Sequence, residues 1–274
     1  MGLTRIGAVA AAFGRDLDFD LQRIDALIDH ARRDGVHLLV LPDAALGGYL
    51  SDVHTAEPDS LPPALAIDDA HIARIAASAA AMTVCFGFRE ADGGRYYNTA
   101  VCVSGDGVLG VHRKVHQPVH EQGAYSPGDR FAAFDTPVGR LGMLIDYDKT
   151  FPESARSLAL DGAEILACLS AWPTSITNRA ARMRDDRQSR LFDLYDQARA
   201  AENQVVLASA NLTGSLGGLR FLGQAKVVGP GGDIRARTWS KAGLVTTELD
   251  VAAEIDTARK VLDHLAERRP ELYR

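Results

Sequence analysis

The sequence has little cysteine, no long apolar run and no excess of positive charge, and each shortage excludes something. The three cysteines, Cys85, Cys102 and Cys168, are odd in number and lack C-x-x-C spacing, which argues against a disulfide framework or a zinc site. Each sits in an apolar, strand-like run ("TVCFGF", "TAVCVSG", "EILACLS"), as buried structural thiols do. No apolar run reaches the roughly 18 residues needed to span a bilayer. A formal net charge of −6 argues against nucleic acid or an anionic membrane as a partner. The opening "MGLTRIGAVAAAFGRDLDFD" lacks the basic region of a signal peptide, and Ile6 stands where a myristoylation signal needs Ser or Thr. A cytoplasmic protein is expected. There is no linker, repeat or low-complexity tract either; the Pro/Gly-rich pieces at 57–63, 214–218 and 229–232 are turn-sized.

What is present is a chain of 274 residues, 46% hydrophobic and 24% charged, enough for a sizeable core. Strand-length apolar runs alternate with helical patterns. "RIGAVAAAF" reads as a strand and "DFDLQRIDALIDHARRDG" as an amphipathic helix, with Leu21, Ile24, Leu27 and Ile28 on one face and Gly35 as its stop. "VHLLVLP" is a buried strand ending at Pro42-Asp43, and "DDAHIARIAASAAAM" a second helix. "TVCFGFRE" and "YYNTAVCVSG" form a hairpin about a Gly-rich turn. "GVLGVHRK" is a strand ending at Lys114, and "AEILACLS" and "QVVLASAN" are further strands around the helix "QSRLFDLYDQARAAEN". A late antiparallel set, "FLGQAKVVG", "GDIRART" and "GLVTTELD", precedes a last helix, "VAAEIDTARKVLDHLAE". The pattern predicts one α/β domain, built on a large mixed sheet or on two sheets packed face to face.

The most informative stretch is "GRLGMLIDYDKTFPESARSLALDGAEILACLSAWP" (139–173). A strand delivers a residue to a turn before a helix, the layout that presents a nucleophile, yet that residue is Asp146. With it stand "LVLPDAALGGY" (39–49), "VHRKVH" (111–116), "EQGAYSPGD" (121–129), "ARAAENQVVLASAN" (198–211) and "FLGQAKVVGPGGDI" (221–234). Six such blocks in order make the chain resemble the nitrilase, or carbon–nitrogen hydrolase, superfamily nearly end to end.

The resemblance implies a single domain over 1–274 with a four-layer αββα sandwich. It implies pairing into a homodimer or higher homo-oligomer through the helix after Asp146 and the C-terminal segment. It implies hydrolysis of a small amide, nitrile or carbamoyl substrate with neither metal nor organic cofactor. Lys114 sits where the family has its lysine and Glu121 where it has its second glutamate. Asp43 takes the place of the general-base glutamate and Asp146 that of the cysteine nucleophile. Tyr49, Tyr147 and Trp172 fall among the pocket walls, together with loops 51–63, 117–128 and 174–190.

The chemistry of the two changed positions can be argued directly. A carboxylate needs no base to ionise it at pH 7, but it is far less nucleophilic than a thiolate, and attack on an amide would form a high-energy anhydride. A shorter acid at 43 withdraws its carboxyl by one bond while the acid at 146 reaches one bond further, so a water could sit between them. Three acids converging on Lys114 would titrate as a unit, with at least one protonated near neutrality. The expectation is therefore a hydrolase-fold enzyme lacking a cysteine nucleophile; the alternative is a silent relative that keeps the pocket as a binding or scaffold protein. Asp148, Glu153 and Arg156 read as support around the turn, His112, His116 and His120 as strand-edge and loop residues, and "NRAARMRDDRQSR" (178–190) as the solvated start of a helix.

Overall fold

A computed structural model describes residues 2–51 and 61–273; most of the expected pocket loop 51–63 lies outside the described residues. The first half of the chain builds one sheet from β1 (Thr4–Ala11), β2 (Leu38–Val40), β3 (Ala64–Leu65), β4 (Thr83–Asp92), β5 (Arg95–Ser104) and β6 (Gly107–Arg113), with helices α1 (Leu17–Arg33) and α2 (Ala70–Ala79) between strands. The second half builds another from β7 (Phe134–Thr136), β8 (Gly139–Ile145), β9 (Ile165–Ser170), β10 (Val206–Leu216), β11 (Leu219–Leu222), β12 (Lys226–Val228) and β13 (Ile234–Arg237), with α3 (Pro152–Leu160) and α4 (Arg187–Asn203). The chain then returns to the first sheet as β14 (Gly243–Leu249), antiparallel to β1, and ends in α5 (Val251–Arg259).

Side-chain alternation along the strands separates the layers. Ile6, Ala8 and Ala10 of β1 face Met143 and Ile145 of β8 and Ala167 and Leu169 of β9, in a core between the two sheets. The opposite face of the first sheet, with Val9, Leu39, Val84 and Phe86, packs on Ile24 and Ile28 of α1 and Ile72 and Ile75 of α2. The opposite face of the second, with Leu144, Leu166 and Leu207, packs on Ala155 and Leu158 of α3 and Ala200 of α4. This is a four-layer αββα sandwich in a single domain. Of the two sheet arrangements left open by the strand pattern, the molecule takes the face-to-face one. The sheets meet at one seam, where β1 and β10 run parallel at Ala10↔Asn211 and Ala11↔Leu212.

Two details depart from the sequence reading. The first hairpin turns more tightly than expected, at Gly93-Gly94 alone, both at positive φ. The last helix, expected through residue 267, stops at Arg259. The side chain of Gln204 replaces it there: its Nε2 donates to the carbonyls of Ala258 and Leu262, its Oε1 accepts from His264 N, and Asp263 Oδ1 accepts from Leu265 N and Ala266 N. Local side-chain bonds thus outcompete the helical ladder.

Candidate functional site

Asp43 follows β2 through Leu41-Pro42 and crosses directly over Gly87 of β4. A Cβ at position 87 would lie 2.7 Å from Ala44 N and 2.8 Å from Asp43 Oδ1, so only glycine admits the crossing. Ala44 turns the chain away at φ 56°. Asn98, on β5, donates to Asp43 Oδ2 at 3.0 Å.

Lys114 is the first residue beyond β6. Its backbone is clamped from both sides, its N–H donating to Asn98 O at 2.9 Å and its carbonyl accepting from Gly128 N at 2.8 Å. Gly128 is again forced, since a Cβ there would lie 2.1 Å from Arg113 O. The Lys114 ammonium donates to Glu121 Oε1 at 2.7 Å, and the Tyr49 hydroxyl donates to the same oxygen. Glu121 sits in a single 3-10 turn, Val119–Glu121.

Asp146 sits where β8 gives way to a 3-10 turn and then to α3, whose first residue is Pro152. It is a non-glycine residue at φ 50°, a conformation that costs about 1–2 kcal/mol. The turn is held from two directions. Asp148, beneath it, accepts from Ile145 N, Val115 N and His116 N, and pairs with His112 Nε2 at 2.9 Å, so the turn and the end of β6 share one carboxylate. From α4, Arg199 donates to the carbonyls of Lys149 and Thr150. So held, Asp146 Oδ2 lies 3.5 Å from Lys114 Nζ.

The electrostatics follow from burial. Lys114, Glu121 and Asp43 are fully buried and Asp146 is 6% exposed. Burial pushes the Asp43 carboxyl up to about 7; the neighbouring carboxylates of Asp146 and Glu121 add to the rise, while Lys114 and the Asn98 hydrogen bond oppose it. Burial raises Glu121 as well, against the pull of Lys114. Burial alone would lower Lys114, but Glu121, Asp146 and Asp43 outweigh it and hold the ammonium above its ordinary range. Among the described residues Asp43 Oδ1, Glu121 Oε2 and Asp146 Oδ1 are buried without a hydrogen-bond partner. The cluster can therefore bind and move protons: a permanent cation, an acid that titrates near neutrality, and three uncommitted acceptors.

Asp146 forms part of the floor of a cavity of about 320 Å³. Tyr147 and Trp172 are on its wall, with His120, Thr174 and Gln188. Tyr49 is placed otherwise than the sequence suggests, behind the cluster and against Glu121. His112, near the end of β6, and His116, in the loop beyond it, stand where the sequence reading puts them, and both also bond Asp148. Glu153 is exposed, and Arg156 donates to Glu202 O, away from the turn.

Sequence reasoning passed over Asn98, which holds Asp43, and Gln188, which accepts from Trp172 Nε1 at 2.9 Å. It also passed over a buried ion cluster behind Trp172, in which Lys149 and Lys226 donate to the two oxygens of Asp196 at 2.8 and 2.7 Å. A lysine inside the apolar run "GQAKVV" was the available signal. The three cysteines are fully buried, and burial pushes Cys168 up to about 12. Among the described residues no group of three or more His, Cys, Asp or Glu side chains is arranged to hold a metal ion, and no helix is long and apolar enough to cross a membrane.

The profile of the carbon-nitrogen hydrolase family matches residues 5–259. A nitrilase from Pyrococcus abyssi is 30% identical over 267 residues, covering 93% of each chain. A carbon-nitrogen hydrolase of Helicobacter pylori G27 superposes with a TM-score of 0.85 over 99% of this chain and 97% of that one, at 24% identity. A double mutant of the amidase from Nesterenkonia sp. AN1, solved in complex with acrylamide, superposes with a TM-score of 0.78 at 26% identity, over 98% and 95%.

Proposed function

Because the chain belongs to the carbon–nitrogen hydrolase family, we propose that it hydrolyses a small amide, nitrile or carbamoyl-type substrate, and that it does so without a cysteine nucleophile, Asp146 standing at the nucleophile's place and Asp43 at the general base's. The observation that carries the reading is the buried Lys114 ammonium, held between Glu121 Oε1 and Asp146 Oδ2, with Asp146 in turn lining an open cavity. Relatives named nitrilase and amidase support the substrate class.

For an amide, a water between Asp43 and Asp146 is the nucleophile. Asp43, ionised, takes a proton from it as its oxygen bonds to the carbonyl carbon. Two of the three ammonium N–H bonds of Lys114 face carboxylates, and the third meets the oxyanion of the tetrahedral intermediate. Asp43 then passes its proton to the nitrogen, the C–N bond breaks, and a carboxylic acid and an amine leave. An acid with a pKa of about 7 suits both proton transfers. Glu121 and Tyr49 hold Lys114 in place, and Tyr147 and Trp172 bound the substrate.

The competing reading, a silent scaffold, draws on the same ion pair, since a defunct site would retain partners for a buried lysine. The open cavity over Asp146 favours the enzyme. Ammonia release from a panel of amides and nitriles tests the choice. We expect turnover that falls by about 10²-fold or more in Lys114→Ala. Equal rates in the two proteins would remove Lys114 from the mechanism, and no turnover on any panel member would favour the scaffold. We propose too that two copies pair through α3 and the C-terminal segment, where Leu160, Val261, Leu262 and Tyr273 are exposed. Light scattering should then give twice the chain mass.

A further inference from the structure

The arginines of 178–190 are exposed around the start of α4, as a solvated helix entry would be, yet three of them share a concavity. Arg182, Arg184 and Arg190 line a second cavity, of about 450 Å³, with Arg237 and Trp239 opposite. Four guanidinium groups meet there against one lining carboxylate, Asp193, which is already committed to Arg237 at 2.9 Å and to buried Lys226 at 3.1 Å. Arg184 has only a loose contact, 3.9 Å, with Asp185, and among the described residues Arg182 and Arg190 have no ion pair at all. Like charges gathered round one concavity repel one another unless an anion joins them.

The lining is also built to receive a polar group. Gln224 is 3% exposed, sits at φ 69°, and donates through Nε2 to Ser189 Oγ, while its Oε1 is buried without a partner. Arg237 Nε is a second buried group without a partner. The apolar part of the wall comes from Met183 and from Trp239, which is 65% exposed and carries the Arg237 guanidinium 3.9 Å over its ring. An exposed indole stacked on an arginine is a platform for a flat ring.

We infer that this cavity is a second binding site, distinct from the catalytic pocket, for a small aromatic anion: the arginines take a phosphate or carboxylate and Trp239 takes the ring. The volume suits a molecule of mononucleotide size or below. The two cavities lie on either side of the first turn of α4, with Gln188 lining the catalytic one and its neighbour Ser189 the other.

Calorimetric titration of the full chain tests this without any reference to turnover. The probes are AMP and 4-hydroxybenzoate, which separate a phosphate-bearing from a carboxylate-bearing ligand, with neutral adenosine and phenol as controls. At least one anion should saturate with a Kd of about 1 mM or tighter. Its neutral counterpart should bind about tenfold more weakly or worse, as should the anion to an Arg182→Gln/Arg190→Gln double variant and to Trp239→Ala. These side chains are at the surface, and circular dichroism checks that each variant keeps the fold. Saturation by neither anion, equal binding of the neutral probes, or unchanged affinity in the double variant would overturn the inference.

Discussion

The ammonium of Lys114 lies 3.5 Å from Asp146 Oδ2, at the far edge of an ion pair, while its bond to Glu121 is 2.7 Å. Asp146 is thus the loosely held member of the cluster, on a strained turn and facing the cavity. A thiol placed there would sit beside a cation that favours its ionised form. Asp146→Cys should therefore introduce one sulfhydryl that iodoacetamide alkylates in the folded protein, while the three native thiols react only after unfolding. Mass spectrometry reads the label count. An unlabelled folded variant would show that position 146 is not presented to the cavity as described.

Isotope labelling separates the water route from an anhydride on Asp146 that water opens at the aspartyl carbonyl. In a single turnover in ¹⁸O water, direct attack puts the label in the product carboxylate and none in the protein. An anhydride opened at the aspartyl carbonyl leaves ¹⁸O on Asp146. Label recovered in the peptide that contains Asp146 would sink the proposed route.

Asp43 sets a conflict between stability and chemistry. Its carboxyl is raised from 3.8 to about 7, so the neutral form is favoured in the fold. Below the unfolded value both states are protonated and the group costs nothing. As pH rises towards 7 the unfolded chain ionises first and the folded state loses stability, by up to about 4 kcal/mol above pH 7. Asp43→Asn should be more stable than the parent at pH 8, match it near pH 4, and lose about 10²-fold or more in turnover. Urea midpoints at the two pH values decide it; a variant equally destabilised at both would contradict the assignment.

Asp148 works in the opposite direction. Burial alone would raise its pKa, but hydrogen bonds from His112, His116 and the backbone hold it well below the usual carboxylate range. Its contribution is present above the unfolded value near 3.9 and lost as pH falls through the folded one. Asp148→Ala should destabilise the protein by about 3–5 kcal/mol at pH 7, because it strips partners from His112 and three backbone amides. The loss should shrink below pH 4. A loss under 1 kcal/mol at neutral pH would mean that the turn does not depend on this carboxylate.

The buried cluster behind Trp172 makes an asymmetric prediction. Asp196 is the shared partner of Lys149 and Lys226, whose ammonium groups lie 3.2 and 3.9 Å from the Phe192 ring centroid. Asp196→Ala leaves two neighbouring cations without their common counterion and should cost about 3–5 kcal/mol. Lys226→Met removes one of them and leaves Lys149 paired, so its cost should be well under half as large. Denaturant curves that rank the two in reverse would show that the cluster is not held by Asp196.

Much of the architecture is legible in the residues themselves. The periods of β1 and α1 and the strand–turn–helix around Asp146 can be read directly, because local pattern and final burial agree there. The four charged site positions stand in recognisable surroundings. What the chain order hides is contact between distant segments. Nothing in "YYNTA" says that Asn98 will hold Asp43, and Asp148, legible as support for its own turn, gives no sign that it will also take the backbone amides beyond β6. Gln204 stops a helix more than 50 residues downstream by bonding its carbonyls, which no local propensity could announce. The lysine in "GQAKVV" breaks the apolar pattern, but its acid lies on a helix 30 residues earlier.

Gly87 carries no reactive group, yet the backbone of Asp43 rests on its missing side chain. A screen that scores turnover would therefore place this interior strand position beside the proposed proton carriers, while one that scores soluble yield would hold position 87 to glycine and leave the proton carriers free to vary. Comparing the two screens would separate the residues that perform a reaction from those that only leave room for it.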